Sequence, residues 1–291
     1  MNKVESIDIL SSNWNDYELL DSGNRLKLER FGDVIVIRSE PKAWWTPSLP
    51  NSEWNKAQAK HFDEDKNNTR WQFKSKINAP RLNYNGIVFG TKFMDGSKHL
   101  GVFPEQEPHW QKIANAYREG ATLLNLFGYT GAATLVAAKA GYQVTHVDAS
   151  KPSIDWARQN QALSNLEDKP IRWILDDALK FVKRQERRGQ TYDAIILDPP
   201  AFGRGPKKEL WKLDKMLAEL LEATSNILSK NPLFVIMTMY SIEASSVMAK
   251  NMLEQYFLLA SEFEAGELVL NSQNSKQLPL SLYAVAKWNK K

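Results

Sequence analysis

Apolar and polar residues alternate in short runs over the first hundred residues, a pattern typical of half-buried β-strands. Gly and Asp turn signals separate the runs. The predicted strands are YELLDSG, RLKLERFG, DVIVIRSE, RWQFKSKI, NGIVFGTKF and HLGVF. The polar stretch from Pro47 to Thr69 is predicted to be helical or loop. We therefore expect a small β-rich N-terminal domain over residues 1–107.

The pattern changes near Pro108, where apolar runs of strand length alternate with segments of helical period. The predicted strands are TLLNLF, QVTHVDA, IRWIL, DAIIL and LFVIMTM, and the predicted helices include TGAATLVAAKAG, DALKFVKRQERRG, roughly Lys207 to Leu228, and around Glu243 to Glu254. Strands alternating with helices imply an α/β fold with a doubly wound, mostly parallel, Rossmann-like sheet over residues 108–291. GELVLN and SLYAVAKW have no clear helix between them, so they could form a hairpin that adds an antiparallel strand near the C-terminus.

Composition narrows the class of protein. The 291 residues contain no cysteine, which excludes disulfides, thiolate metal sites and cysteine nucleophiles. Four histidines without HExxH spacing make a metal site unexpected. No apolar run reaches the roughly 20 residues of a membrane-spanning helix, and MNKVESIDIL lacks the apolar segment of a secretion signal. We therefore expect a cytoplasmic protein without a membrane partner.

Unusual residues follow each predicted strand of the second region, at the edge where doubly wound sheets bind ligands. Gly128 and Gly131 permit a tight turn and a close backbone approach by a ligand, although an ordinary turn would also use them. Asp148 ends the next strand and is suited to both hydroxyls of a ribose or to capping a helix. Asp176 and Asp177 end the third strand, where one carboxylate could meet an adenine amino group while the other caps a helix. Together these residues favour an adenosine-containing ligand.

The fourth strand ends in Asp198-Pro199-Pro200-Ala201-Phe202. Proline donates no hydrogen bond and fixes φ, so this segment is expected to be rigid with its carbonyls exposed. The carboxylate and the carbonyls are all acceptors, which suits a planar group carrying N–H donors, and Phe202 could stack on it. A basic stretch surrounds this motif: ten Lys/Arg against five Asp/Glu lie between Lys180 and Lys215. Such a run is either a solvated face or a phosphate-binding surface.

These motifs as a set resemble class I S-adenosylmethionine-dependent methyltransferases. They look most like the bacterial large-subunit ribosomal RNA methyltransferases and their uncharacterised relatives. The matching segments are LNLFGYTGAAT, VTHVDASKPSIDWARQN, DDALKF and YDAIILDPPAFGRG, preceded by HLGVFPEQ. The resemblance implies S-adenosylmethionine as the cofactor. It implies these cofactor-binding residues: Asn125, Phe127, Gly128, Thr130, Gly131, Asp148, Ala149, Ser150, Asp177, Ala178 and Asp198.

The resemblance also implies that Asp198, Pro199 and Pro200 face the methyl group and the acceptor, with Phe202 beside them. Family members that methylate cytosine C5 use cysteine nucleophiles, which this chain lacks, so a nitrogen acceptor is favoured. Many members begin with a PUA domain, which is not evident here, and Gln106 is followed by Glu107 where the family usually has Arg.

The sequence therefore predicts methylation of a nitrogen in an RNA base, with ribosomal RNA favoured. The predicted phosphate contacts are Arg204, Lys207 and Lys208. Three alternatives stay open: a methyltransferase acting on a protein side chain or small molecule, an NAD-dependent oxidoreductase, and a non-catalytic cofactor-binding module. The missing GxGxxG and the Asp-Pro-Pro segment argue against the oxidoreductase.

Overall fold

The computed structural model describes residues 8–63, 69–240, 242–274 and 276–288, so residues 1–7 of the N-terminal stretch and residues 64–68 of the polar region lie outside the described residues. In chain order, the strands are β1 (Asp8–Ser11), β2 (Tyr17–Gly23), β3 (Leu26–Phe31), β4 (Val34–Ser39), β5 (Ala59–Asp63), β6 (Thr69–Phe73), β7 (Arg81–Tyr84), β8 (Ile87–Gly90), β9 (Thr122–Leu126), β10 (Gln143–Asp148), β11 (Ile171–Leu175), β12 (Ala194–Leu197), β13 (Phe202–Arg204), β14 (Leu210–Lys212), β15 (Phe234–Tyr240), β16 (Glu262–Asn271) and β17 (Gln277–Lys287). The α-helices are α1 (Asn51–Trp54), α2 (Glu107–Asn115), α3 (Ala132–Ala140), α4 (Lys151–Leu163), α5 (Ala178–Arg187), α6 (Leu213–Ser225) and α7 (Ser246–Tyr256), and a 3₁₀-helix spans Pro104–Gln106.

The chain divides into two compact units. The first unit contains a short segment ending at Leu10 together with His109–Leu268 and Ser281–Lys291, and the second contains Ser11–Pro108 and Val269–Leu280. The segment Val269–Leu280, which includes the turn between β16 and β17, bonds within the second unit: Lys42 Nζ donates to the Leu280 carbonyl at 2.7 Å and Lys276 Nζ to the Thr46 carbonyl at 2.7 Å. A division into domains at residues 107/108 stays a proposal, and these contact units differ from it at two segments.

An eight-stranded sheet carries the first unit, in the order β1-β16-β17-β15-β12-β9-β10-β11. Strands β11, β10, β9, β12 and β15 are parallel neighbours, and β17 runs antiparallel to β15. This arrangement confirms the predicted doubly wound sheet with an antiparallel strand near the C-terminus. Since the chain runs from β9 outward through β10 and β11 and then returns to β12, the strand order reverses beside β9. Such a reversal is where ligands bind in these sheets.

A large apolar core forms between the sheet and helices α5, α6 and α7. Helix α5 shows why: Leu179 and Val182 are buried together with Phe181, while the charged residues of the helix face outward. The helix ends also follow the sequence signals. Ser150 caps α4 by accepting from the Ser153 N–H, and Gly141 ends α3 at φ 119°.

The second unit is rich in strands, as predicted. A five-stranded sheet has the order β2-β3-β4-β5-β6, and β7 pairs with β8 as a separate hairpin. Two predictions were wrong here. Residues 99–103 (HLGVF) form no strand, and the polar region contains the strand β5, which pairs parallel with β4. Strand β5 has a charged and polar sequence, AKHFD, so its pairing depends on neighbours far along the chain.

A group of buried charges lies on the sheet of the second unit. Arg38 donates Nε and Nη2 to the two carboxylate oxygens of Glu29, both at 2.6 Å, and Lys27 approaches Glu29 at 3.5 Å. Burial alone would raise the pKa of Glu29, but the charges of Arg38 and Lys27 outweigh it and lower that pKa to about 2. The buried carboxylate is thereby kept ionised.

Residues 207–212 correct the sequence-based helix assignment. The helix expected from Lys207 begins at Leu213, and residues before it form the antiparallel hairpin β13–β14. Lys208 lies inside the predicted helix but adopts φ 66°, a left-handed conformation that an α-helix excludes. Helix α2 was also absent from the prediction. Within the described ranges, no helix is long and apolar enough to cross a membrane, and no three His, Asp or Glu side chains cluster as metal ligands.

Candidate active site

The turn after β9 has an unusual backbone. Phe127, Tyr129 and Gly131 have φ of 59°, 49° and 85°. Left-handed conformations at non-glycine residues cost of the order of 1–3 kcal/mol each, so the surrounding structure must hold them. Part of that support is visible: the Gly128 N–H donates to the Val147 carbonyl at 3.1 Å, and the Gly131 N–H to the Gly128 carbonyl at 3.0 Å.

A buried polar network joins β9, α3 and β10 next to this turn. Asn125 Nδ2 donates to Thr134 Oγ1 at 2.9 Å, and that oxygen lies 2.9 Å from His146 Nδ1. Burial lowers the pKa of His146 to about 3, so the imidazole is neutral. A Cβ at Gly128 would lie 2.4 Å from His146 Cε1, which explains why glycine is required. Asn125, predicted as a cofactor contact, is 3% exposed and positions the turn.

Asp148 ends β10 directly beside this turn. Its Oδ2 accepts the Tyr129 N–H and its Oδ1 the Ser150 N–H, each at 2.8 Å. Each oxygen keeps a further lone pair, and the two backbone donors hold the carboxylate in one orientation. Burial raises the pKa of Asp148, while its backbone hydrogen bonds oppose the shift. The carboxylate can therefore receive two hydroxyls in the way predicted for a ribose.

The other predicted cofactor residues lie at the same edge of the sheet. Thr130 is buried, and its carbonyl accepts from Asn160 Nδ2 at 3.0 Å. Asp177 caps α5 through the Lys180 N–H at 2.9 Å, so the capping alternative is confirmed for this residue. Asp176 forms a 2.6 Å ion pair with Arg184. An adenine contact by Asp177 or by the buried Ala178 stays a prediction, as does one by Ala149 next to Asp148.

The Asp198-Pro199-Pro200 segment follows β12, whose Leu197 is in register with Leu126 of β9. Asp198 is half-buried, and its N–H lies 3.5 Å from the Leu126 carbonyl. The expectation that all carbonyls here are exposed was wrong at one position. The Pro200 carbonyl accepts the Trp211 Nε1 donor at 2.7 Å, which ties the segment to β14.

Trp211 is a site residue that the sequence reasoning missed. Its side chain is 3% exposed, and its ring centroid lies 5.1 Å from that of Phe127 in the turn after β9. Trp211 therefore joins three parts of the site: the turn, the Asp-Pro-Pro segment and the hairpin. The available signal was an indole within a charged stretch, ELWKLD, which helical assignment concealed.

The hairpin β13–β14, which follows Asp198-Pro199-Pro200 in the chain, carries three cations. Arg204, Lys207 and Lys208 are exposed, and their side chains form no ion pair with any residue that the structure describes. The neighbouring basic residues of α5 differ, because Lys180 pairs with Glu209 at 2.7 Å and Arg184 with Asp176. Glu209 also accepts the Lys207 N–H at 2.8 Å, which fixes the hairpin tip. Phe202, at the start of the hairpin, is 56% exposed.

The family of this chain follows from its similarity to known proteins. The family model described as Conserved hypothetical protein 95 matches residues 109–255, just over half of the chain. The crystal structure of an S-adenosylmethionine-dependent methyltransferase from Agrobacterium tumefaciens has a TM-score of 0.93 and 40% identity, covering 99% of this chain and 98% of that one. The chain belongs to the Conserved hypothetical protein 95 family and is a class I S-adenosylmethionine-dependent methyltransferase. A putative methyltransferase structure from Streptococcus mutans, with TM-score 0.73 and 19% identity over 94% of this chain and 76% of that one, shares the fold.

Two further relatives are ribosomal RNA methyltransferases. Ribosomal RNA large subunit methyltransferase I from Shewanella amazonensis is 36% identical over 119 residues, which are 40% of this chain and 30% of that protein. Ribosomal RNA large subunit methyltransferase K/L from Shewanella frigidimarina is 33% identical over 148 residues, which are 49% of this chain and 20% of that protein. The methyltransferase thus spans less than a third of the length of these curated relatives.

The residues of the site fit S-adenosylmethionine, which supplies an electrophilic methyl group when bound. Asp148 offers two oriented acceptors for ribose hydroxyls. Helix α3 begins at Ala132, and its N-cap residue Gly131 has no side chain to cap it, so the first-turn N–H groups are available as donors to a carboxylate. Both features lie where the strand order reverses.

Proposed function

We propose that this methyltransferase methylates a nitrogen of an RNA base, with ribosomal RNA the favoured substrate. The observation that carries the proposal is the continuity of one segment. Asp198-Pro199-Pro200 at the end of β12 leads directly into the hairpin β13–β14, whose exposed cations Arg204, Lys207 and Lys208 have no carboxylate partner among the described residues. Asp198, which can accept an N–H donor, and the hairpin cations, which can bind phosphates, are thus adjacent in the chain.

The acceptor would be held by groups of this chain. Asp198 would accept the N–H of the base and take its proton as the nitrogen–methyl bond forms and the methyl–sulfur bond breaks, with S-adenosylhomocysteine as the leaving group. The Pro200 carbonyl is already used by Trp211, so the Pro199 carbonyl, which accepts no hydrogen bond from a described residue, is the better second acceptor. Phe202 offers an exposed ring for stacking. The protein's main contributions would be alignment and the exclusion of water.

RNA suits this site when the target base is accessible. A base inside a duplex would have to be flipped out, whereas a base in a loop is already unstacked. Phosphates flanking the base would then meet the hairpin cations. A nitrogen acceptor is favoured over a pyrimidine carbon because the chain has no cysteine to form the covalent adduct that C5 methylation uses.

The ribosomal RNA assignment draws support from the two Shewanella relatives, whose names state that substrate class. An enzyme acting on ribosomal RNA would work in the cytoplasm, in agreement with the sequence-based expectation.

The test is to map methylated nucleotides by mass spectrometry in RNA from cells with and without the gene. We expect one N-methylated base to disappear and to return with the wild-type gene. Asp198→Asn should fail to restore it while the purified variant still binds S-adenosylhomocysteine. Loss of 5-methylcytosine would contradict the nitrogen assignment. If RNA methylation is unchanged and a methylated protein or small molecule disappears instead, the proposed RNA substrate is contradicted.

A further inference from the structure

Trp44 of the second unit is 78% exposed, more than Phe202 at the candidate active site. Leaving an indole in water forfeits the stabilisation that burial of a large aromatic ring provides. The ring nevertheless has a defined position, because its Nε1 donates to the Pro41 carbonyl at 2.7 Å. An exposed aromatic that is held in place is a candidate binding element.

The loop that carries Trp44 is fastened to the β2–β3 turn. The Asn24 N–H donates to the Trp45 carbonyl and the Arg25 N–H to the Ala43 carbonyl, each at 2.7 Å. Asn24 and Arg25 both have positive φ, 50° and 62°, as a two-residue hairpin turn requires. Gly23 allows close approach, since a Cβ there would lie 2.4 Å from the Pro47 nitrogen. The ring therefore sits on a rigid support.

Three cations belong to the same part of the second unit as the ring. The Arg25 guanidinium carbon lies 5.9 Å from the ring centroid, within cation–π range. Lys42 and Lys276 each donate to a backbone carbonyl of this unit and keep further N–H donors. None of the three cations forms an ion pair within the described part of the chain. The acid that precedes the loop, Glu40, is committed to the buried Lys27 at 3.5 Å.

We propose that Trp44, Arg25, Lys42 and Lys276, termed the Trp44 platform, bind an unpaired base of single-stranded RNA together with its neighbouring phosphates. This inference rests on the proposed function and adds a second RNA contact outside the methyl-transfer site. A planar ring stacks on any base, and unpaired cations suit a polyanion. An apolar protein partner would leave these cations without counter-charges, so RNA is the occupant that uses both features.

The measurement is the affinity for a fluorescently labelled uridine-rich single-stranded RNA, by anisotropy across a salt series. Trp44→Ala should weaken binding about 10-fold, which corresponds to the loss of one stacked base. Trp44→Phe should keep most of the affinity because it retains an aromatic face. Arg25→Gln should lower the salt slope by about 0.7, the value for one phosphate contact on a single strand. Leu259→Ala, at another exposed apolar residue, should change nothing.

A parallel arm uses the triple variant Arg204→Ala, Lys207→Ala, Lys208→Ala, which separates this inference from the proposed function. If Trp44→Ala binds RNA like the wild type while the triple variant is weakened, the platform is refuted and the proposed function stands. If Trp44→Ala is weakened and the triple variant is not, the platform is supported and the hairpin contact is refuted. A wild type that does not bind RNA overturns both. Thermal unfolding of each variant checks that the fold is retained.

Discussion

Replacement of Asp148 tests the cofactor site most directly, because this carboxylate has two tasks. It holds the Tyr129 and Ser150 N–H groups at 2.8 Å, and its remaining lone pairs are assigned to two ribose hydroxyls. Asp148→Ala removes all four interactions. Asp148→Asn keeps the shape and one carbonyl oxygen, but places an NH₂ group against one of the two backbone donors.

The magnitude follows from the number of hydrogen bonds. A hydrogen bond to a charged group contributes about 1.5–3 kcal/mol, so two ribose bonds amount to about 3–6 kcal/mol. Asp148→Ala should therefore raise the Kd for S-adenosylhomocysteine by about 10²–10⁴. Asp148→Asn should raise it less, since one neutral acceptor remains. Leaving two backbone N–H groups unpaired, at about 1–3 kcal/mol each, should also lower the free energy of unfolding of Asp148→Ala by about 2–6 kcal/mol.

The pH dependence gives a second readout. Burial raises the pKa of Asp148, partly opposed by the N–H groups of Ser150 and Tyr129, so the carboxylate is lost at a higher pH than for an ordinary Asp. Its contribution to cofactor binding is full above that raised pKa and disappears as the pH falls through it. The effect on the free energy of unfolding has the opposite sign. Because the pKa of Asp148 is raised in the folded state, protonation of this group stabilises the fold, and that contribution is lost as the pH rises through the raised pKa.

Isothermal titration calorimetry with S-adenosylhomocysteine, from neutral to acid pH, measures both effects. The wild type should lose affinity on acidification, and Asp148→Asn should have lost this component of the pH dependence. Asp168→Ala, at an exposed carboxylate, is the matched control for the loss of one negative charge. An Asp148→Ala variant that stays folded and binds within threefold of the wild type would refute the ribose role.

Three further expectations follow from the structure. Gly131 and Gly120 both have positive φ, but only at Gly131 would a new Cβ clash, at 2.9 Å from Ala157 Cβ. Gly120→Ala should therefore reduce the free energy of unfolding by about 1–2 kcal/mol, and Gly131→Ala should reduce it by more. Thermal or urea unfolding measures both variants, and equal losses would argue against the clash. The triple hairpin variant should reduce the salt slope of RNA binding by about two units without changing cofactor affinity, and an unchanged slope would assign these cations to a solvated face. Arg38→Met should destabilise the protein by about 3–5 kcal/mol at neutral pH because it leaves Glu29 buried and unpaired. In the wild type, the contribution of Glu29, whose pKa is about 2, is present above its unfolded pKa and fades as the pH falls toward 2, so the difference between Arg38→Met and wild type should shrink in urea unfolding at acid pH.

The order of strands and helices over residues 108–291 could be predicted from sequence because the signals for these elements are local. A short apolar run followed by a helical period identifies a strand and its helix, and the rule that parallel strands end at one edge brings their last residues together. Gly128, Asp148 and Asp198 were placed in this way, as was the antiparallel strand near the C-terminus. The caps at Ser150 and Gly141 are local features of the same kind, since capping depends on a few adjacent residues.

Tertiary contacts decided the rest. Strand β14 lies in the stretch that the sequence assigned to a helix, and it pairs in a hairpin because Trp211 packs on Phe127 and donates to the Pro200 carbonyl. Asn125 lies in a buried network because its Nδ2 donates to Thr134 of the next helix, whose hydroxyl in turn contacts His146 of the next strand. Strand β5 and the exposed Trp44 likewise depend on partners distant in sequence. Periodicity reports which face of an element is apolar, but the energy of a hydrogen bond or ring contact between distant segments is determined only when the chain brings those groups together.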